Sequence, residues 1–234
     1  MDGPIPMPDP RSLGLREVHL TTPLSETAVR SLQAGDLVYL TGPVYTARDG
    51  VYTYTLKEGH DPPLDLRSFS NVTLQSSPAG VEVAPGVFRI SSLQATAGFR
   101  YAQYMDAFIA RFGVRAVVGK GGMAPEVYRT IFARHGAVYL STLGYGLGAI
   151  YGRAVQRVVA VHWVQELGIS EALWLLEVKD LGPLLVEGDA QGRSFFEGVN
   201  QEINAHLESL YQGLKPPILR RLGEEQDFRR ELFT

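Results

Sequence analysis

The chain has 234 residues, of which 45% are hydrophobic and 20% charged, with a net charge of −3. That is the make-up of one ordinary globular domain, or one domain with a tail, and it gives no general pull on nucleic acid or an anionic membrane. The absence of cysteine excludes disulfides and any iron–sulfur cluster held by thiolates of this chain. The histidines (His19, His60, His135, His162, His206) are scattered, with no pair at metal-ligand spacing.

Met1 to Leu13 carries prolines and no apolar signal core, so residues 1–16 read as a flexible leader rather than a secretion signal. The longest uncharged run, His135 to Gly152, is broken by glycines and is no membrane span. The expectation is a cytoplasmic protein that engages neither membrane nor nucleic acid.

In chain order, Thr22 or Ser25 caps a helix whose apolar face is Leu24, Ala28, Val29 and Leu32, with Gly35 at its end. Asp36 to Thr41 reads as a strand stopped by Gly42-Pro43. Arg48-Asp49 follows, either a solvated charge pair or a ligand contact just past a strand end. A polar connection over 57–66 leads to Val72–Ile90, whose alternation predicts antiparallel structure with turns at Pro78-Ala79-Gly80 and Pro85-Gly86. Ser91 to Arg100 is a loop of small residues. Tyr104, Phe108, Ile109 and Phe112 then recur at helical spacing up to Gly113.

Ala116 to Val118 reads as a buried strand running into Gly119-Lys120-Gly121-Gly122, and Pro125 starts a helix that reaches about Arg134. A strand, a glycine turn with one lysine and a helix start can bind an anion through backbone N–H groups, or can be only a tight turn. It is not a Walker A loop, because Gly113 is one residue too far upstream and Gly121 stands where Ser or Thr would hold magnesium. His135-Gly136 reads as a helix C-cap. Val138 to Leu140 is a strand into Gly144–Gly148, glycines read as letting a helix pack closely, with a ligand-facing loop as the alternative. Further strands are expected at Arg157–Val161, Trp174–Val178 and Pro183–Asp189, the last ending in the turn Asp189–Gly192. Ile203, Leu207, Leu210 and Tyr211 mark an amphipathic helix in a tail, 201–234, that can cap the domain or bind a partner.

Taken together, Leu40–Asp49, Gly119–Gly122 and His135–Leu140, followed by Glu166–Gly168, Glu171–Trp174, Leu176–Asp180 and Asp189–Gly192, resemble the β subunit of iron–sulfur hydro-lyases. That family comprises L(+)-tartrate dehydratase and class I fumarase, and the resemblance spans residues 17–200. It implies an α/β chain of the β/β/α swivelling type with mixed sheets, followed here by a helical tail. The implied activity is a reversible hydration–dehydration of a small hydroxy-dicarboxylic acid, at a site shared with an α subunit that holds a [4Fe-4S] cluster. The implied assembly is therefore a hetero-oligomer, and this chain is expected to be active only within it.

Charge that builds on a carboxylate during removal of the adjacent proton calls for fixed cations, and the planar fork of arginine suits it. By resemblance Arg48 is a carboxylate clamp, Lys120 stabilises the developing charge, and Gly119 and Gly121 line the substrate. The family's Gly-Pro-Thr-Thr-(Ser/Ala)-Gly-Arg-Met-Asp loop, with Thr as base and Arg on the carboxylate, meets Leu93–Tyr101 here. Aligned on Thr-Ala-Gly, the base becomes Ala95 and the arginine Phe99. Shifted by one residue, the register expected here, Thr96 is the base and Arg100 binds the carboxylate. The missing Gly-Pro, and Gly50-Val51-Tyr52 in place of Ala-Ala-His, leave a second reading: a non-catalytic paralogue that binds a partner or a carboxylate. A third is a stand-alone anion binder built on the Gly119–Gly122 turn.

Overall fold

The computed structural model describes residues 14–144, 147–210 and 212. The expected leader over Met1–Leu13 and the tail beyond Gln212 lie outside the described residues, as do Tyr145 and Gly146. The elements run β1 (Glu17–Thr21), α1 (Glu26–Ser31), β2 (Leu37–Thr46), α2 (Asp49–Tyr52), α3 (Leu66–Phe69), β3 (Val72–Leu74), β4 (Ser76–Ala84) and β5 (Val87–Ala95). They continue with α4 (Ala102–Phe112), β6 (Ala116–Gly119), α5 (Pro125–Val127), α6 (Ala133–His135), β7 (Val138–Thr142), α7 (Gly148–Ala154), β8 (Val155–His162), α8 (Val164–Leu167), β9 (Leu173–Gly188) and α9 (Phe195–Leu210). Wider π-helical turns extend α2 through Lys57 and join α5 to α6, and a 3₁₀ turn over Gly98–Tyr101 enters α4. No helix among the described residues is long and apolar enough to cross a membrane.

A seven-stranded mixed sheet in the order β1-β2-β3-β6-β7-β9-β8 and a two-stranded sheet β4-β5 make up the β structure. From β1 to β7 the neighbours are parallel, whereas β9 pairs antiparallel with β7, β8 and β2. This is the mixed α/β architecture expected. Strand periodicity divides the core between the two faces of the large sheet. Val72, Ala116, Val118, Val138, Leu140, Trp174 and Leu176 pack on one side; Val117, Tyr139, Leu173 and Leu175 pack on the other, with the aromatics of α4.

Several local expectations hold for the reasons given. Ser25 accepts from the Ala28 amide at 3.1 Å and caps α1, and Gly113 ends α4 in the left-handed region at φ 63°. Others need correction. α1 ends at Ser31, short of Gly35. The strand that was to stop at Gly42-Pro43 runs on to Thr46. Gly42 takes φ +118° in a bulge against β9, where an added Cβ would lie 2.7 Å from Thr22 Oγ1 and 2.8 Å from Thr22 O. The Pro43 carbonyl instead accepts from the hydroxyls of Thr22 (2.7 Å) and Ser70 (2.6 Å).

Val72–Leu74 is a parallel strand between β2 and β6, so within the Val72–Ile90 stretch the antiparallel pairing is confined to β4–β5. The turn expected at Gly80 is a bulge within β4 that makes room for the Trp174 ring, 2.2 Å from where a Cβ would stand. Trp174–Val178 and Pro183–Gly188 belong to one strand, β9, which pairs with β8 through its first half and β7 through its second. Among the described residues, those up to Phe196 form one compact unit, and those from Glu197 on belong to a second whose main element is the continuation of α9. On that helix Ile203 and Leu207 are exposed; the Leu210 side chain and Tyr211 lie outside the described residues.

Gly42→Ala tests the bulge. It combines a positive φ with a clash against backbone, so a loss of about 1–3 kcal/mol is expected in denaturant unfolding. A change within about 0.5 kcal/mol would show that β2 does not depend on the bulge.

Candidate functional site

In open α/β sheets the carboxyl ends of parallel strands hold ligands. Four ends meet here: β2 runs into Arg48, β3 into Gln75, β6 into Lys120 and β7 into Thr142. The β4–β5 hairpin leaves from the end of β3 and returns at Ala95, so Thr96 arrives beside the strand it left. The Thr96 amide donates to the Gln75 carbonyl (2.6 Å), the Lys120 amide to the Thr96 carbonyl (3.1 Å), and the Gly98 amide to the Lys120 carbonyl (2.9 Å). Residues distant in sequence are thus locked in register, with Ala97 paired parallel to Lys120.

Only small residues fit in this insert. A Cβ on Gly98 would lie 2.0 Å from Tyr139 Oη, and one on Gly119 would lie 2.1 Å from the same atom. The small-residue run that marked a loop in the sequence therefore serves close packing of two strand ends on a buried tyrosine.

The glycine turn directs its amides inward. Gly121 N donates to Ser141 Oγ (3.2 Å) and Met123 N to Tyr128 Oη (2.6 Å), while the Gly122 amide faces the Tyr139 hydroxyl. Of the two readings of this turn, an anion cradle or only a tight turn, the engaged amides favour the second, and the turn's product is the placement of Lys120. Lys120 is half-buried and lines a pocket with Gln94, Ala95, Thr142, Gly144 and Tyr151. On the far side of that pocket Gly148 and Gly152 let α7 press onto β5: Cβ atoms there would meet the Gln94 side chain at 2.1 Å and the Ser91 carbonyl at 2.8 Å. The packing role read for the second glycine cluster thus holds at Gly148, which also borders the pocket.

Arg48, Thr96 and Arg100 lie outside that lining. Arg100 Nη2 pairs with Asp49 at 2.9 Å, which brings the start of α4 against the start of α2. Arg48 Nη1 holds Glu171 at 3.0 Å and the Ser170 carbonyl at 3.1 Å, and Glu171 also accepts the Gly50 amide at 3.0 Å. Both arginines are thus oriented by carboxylates of this chain. The Arg48 Nε and Tyr101 Oη atoms are buried without a hydrogen-bond partner among the described residues. Arg48 and Thr96 are polar neighbours of the Tyr101 hydroxyl, and burial pushes that phenol's pKa up more than these neighbours lower it. Phe99, the alternative to Arg100 in the unshifted register, is 67% exposed.

Sequence reasoning missed Tyr101, Gln75, Glu171 and Glu187. Gln75 carried a usable signal, a polar residue closing an apolar strand run. Glu171 carried none, since its pairing with Arg48 depends on the fold. Beneath the turn Glu187 is buried; its Oε1 accepts from Ser194 Oγ at 2.8 Å, and its Oε2 stands 2.9 Å from where a Gly122 Cβ would be. His135, read as a capping group, ends α6 before Gly136 at φ 59° and also pairs with Asp106 at 2.7 Å.

Burial holds the Glu187 carboxyl above its usual range, against the pull of Tyr128 and Ser194. A folded pKa above the unfolded one means that this group's contribution to stability is complete below the unfolded glutamate pKa and is lost as pH rises through the folded value. Glu187→Gln is expected to flatten the fall of melting temperature on the alkaline side of the glutamate range. A slope equal to that of the unsubstituted protein would show that Glu187 does not titrate as its burial requires.

As ligands for an iron–sulfur cluster the residues of this chain do not fit. The sequence has no cysteine, and among the described residues no group of three His, Cys, Asp or Glu side chains is placed to hold a metal ion.

The family described as Fumarase C-terminus matches residues 5–199. The chain is 36% identical over 190 residues to a putative L(+)-tartrate dehydratase subunit beta of Methanocaldococcus jannaschii, covering 80% of this chain and 95% of that protein. It is 32% identical over 201 residues to a putative fumarate hydratase class I of Geobacillus stearothermophilus, covering 86% of this chain but 37% of that longer protein. It is 29% identical over 208 residues to the L(+)-tartrate dehydratase subunit beta of Escherichia coli K12, covering 88% of this chain and 95% of that protein.

Proposed function

This chain belongs to the fumarase C-terminus family, and on that premise we propose that it is the β subunit of a two-chain hydro-lyase acting on a fumarate- or tartrate-type dicarboxylic acid. The observation that carries the reading is the Gln75–Thr96–Lys120 backbone lock at the carboxyl ends of the parallel strands, with Arg100 and Asp49 drawn in beside Arg48. It supports the shifted register, in which Thr96 and Arg100 serve the site while Phe99 faces solvent.

In this reading Thr96 Oγ1 takes the proton from the carbon next to a carboxylate in dehydration and returns it in hydration. Lys120 and Arg48 face the charge that gathers on that carboxylate, and Arg100 holds the acid's orientation. Gly119 and Gly121 shape the substrate's edge through the turn, with Lys120 as its charged contact. A hydroxyl serves as base only where nearby cations stabilise its oxyanion, which is what Lys120 and the two arginines supply. The cluster and its cysteines belong, in this proposal, to a separate α subunit, and the active assembly is a hetero-oligomer. A cytoplasmic location goes with it, since thiolate-held clusters are kept in a reducing compartment.

Anaerobic reconstitution with the α subunit, followed by assays on fumarate and tartrate, tests the reading. Lys120→Ala is expected to lower kcat on the order of 100-fold or more while the complex stays assembled by size exclusion. Unchanged turnover removes Lys120 from the chemistry. An assembled, cluster-loaded wild-type complex without turnover on either acid would select the non-catalytic paralogue.

A further inference from the structure

Tyr101 closes the stretch that meets the family's loop but has no role in the assignments above, yet it lies at the junction of Arg48, Thr96 and Arg100. Its ring is fully buried, 5.2 Å from Tyr52 between centroids, with the Arg100 guanidinium 5.6 Å over it. Its backbone is fixed by the 3₁₀ turn over Gly98–Tyr101, and the Gly98 amide is bonded to Lys120. A buried hydroxyl left unpartnered costs free energy, and native proteins keep few of them. Here the Tyr101 hydroxyl and Arg48 Nε, neighbours in the same small region, are both left so.

We propose that Tyr101 is the positioning residue of the base: its O–H donates to Thr96 Oγ1 when that oxygen carries negative charge, holding it toward the acid beside Arg48. The inference rests on the hydro-lyase reading for its consequence in turnover, and on the geometry alone for the contact. Tyr101 transfers no proton; in dehydration the proton from substrate carbon goes to the Thr96 oxyanion, the electron pair of the broken C–H bond becomes the new C=C bond, and the hydroxyl on the neighbouring carbon leaves with its bonding pair. A phenol raised by burial keeps its proton at neutral pH, so it remains a donor and never competes with Thr96 as base. Thr96 is already a polar neighbour of the Tyr101 hydroxyl at rest, and its oxygen becomes a stronger acceptor once it carries charge.

Tyr45 provides the control, since its hydroxyl is also buried and unpartnered, and burial alone raises it. In the reconstituted complex, Tyr101→Phe keeps the ring and is expected to lower kcat about 10- to 100-fold. KM should stay within about two-fold, and the base limb of the kcat–pH profile should move to higher pH. Tyr45→Phe should leave all three unchanged. A Tyr101→Phe complex with unaltered kcat and pH limb, or the same changes in Tyr45→Phe, overturns the proposal. A second measurement is independent of turnover: in the full chain labelled with ζ-¹³C tyrosine, Thr96→Val should shift the Tyr101 resonance, assigned by its loss in Tyr101→Phe. An unmoved resonance overturns the pairing. A shifted one in a chain whose wild-type complex is inactive supports the pairing and counts against the hydro-lyase reading alone.

Discussion

Three backbone hydrogen bonds, from Thr96 to Gln75, from Lys120 to Thr96 and from Gly98 to Lys120, hold the rest of the site in place. They extend the β3–β6 region by a short inserted segment and fix its register residue by residue. The insert exists because the β4–β5 hairpin leaves the large sheet at Ser76 and comes back at Ala95. Tyr139 forms the floor, and glycines at 98 and 119 are required because its hydroxyl occupies the space of either Cβ. Sequence, packing and site geometry are therefore a single constraint: a larger residue at either glycine would separate Thr96 from Lys120.

The charges around this lock are arranged in pairs. Arg48 leans on Glu171, and Arg100 leans on Asp49. The Arg100–Asp49 pair is exposed and contributes little to stability, whereas the Arg48–Glu171 pair is largely covered; both hold a guanidinium group in a fixed direction. Preset direction lowers the reorganisation required when charge develops on a substrate. The glycine turn acts in the same sense, because its amides are engaged by Ser141 and Tyr128 and the turn cannot slide. The sequence has no cysteine to hold a cluster through thiolates, and two of the relatives are named as subunits.

Much of this was legible in the sequence where the signal is local. The spacing of Tyr104, Phe108 and Phe112, closed by Gly113, defined α4, and Ser25 marked the start of α1. What was not legible depends on partners far away along the chain. Gly42-Pro43 reads as a stop, and becomes a bulge only because Thr22 and β9 hold it. Gly80 reads as a turn, and proves to be room for Trp174. The glycines at 119–122 left open an anion cradle or a tight turn, and whether amides face out or in is decided by Ser141, Tyr128 and Tyr139, none of them adjacent in sequence. The register of the Thr96 loop was ambiguous by one residue. The ion pair between Arg100 and Asp49, with Phe99 in solvent, favours one choice for a reason no local pattern contains.

The central claim is that an acid lies across Thr96, with Lys120 on one side and Arg48 on the other. The most direct test is a structure of the reconstituted complex with malate or tartrate bound. The account predicts carboxylate oxygens within hydrogen-bond distance of Lys120 Nζ and the Arg48 guanidinium, and Thr96 Oγ1 facing the carbon between the carboxylates. A ligand seated away from the Thr96–Lys120 lock, touching neither cation, would contradict it.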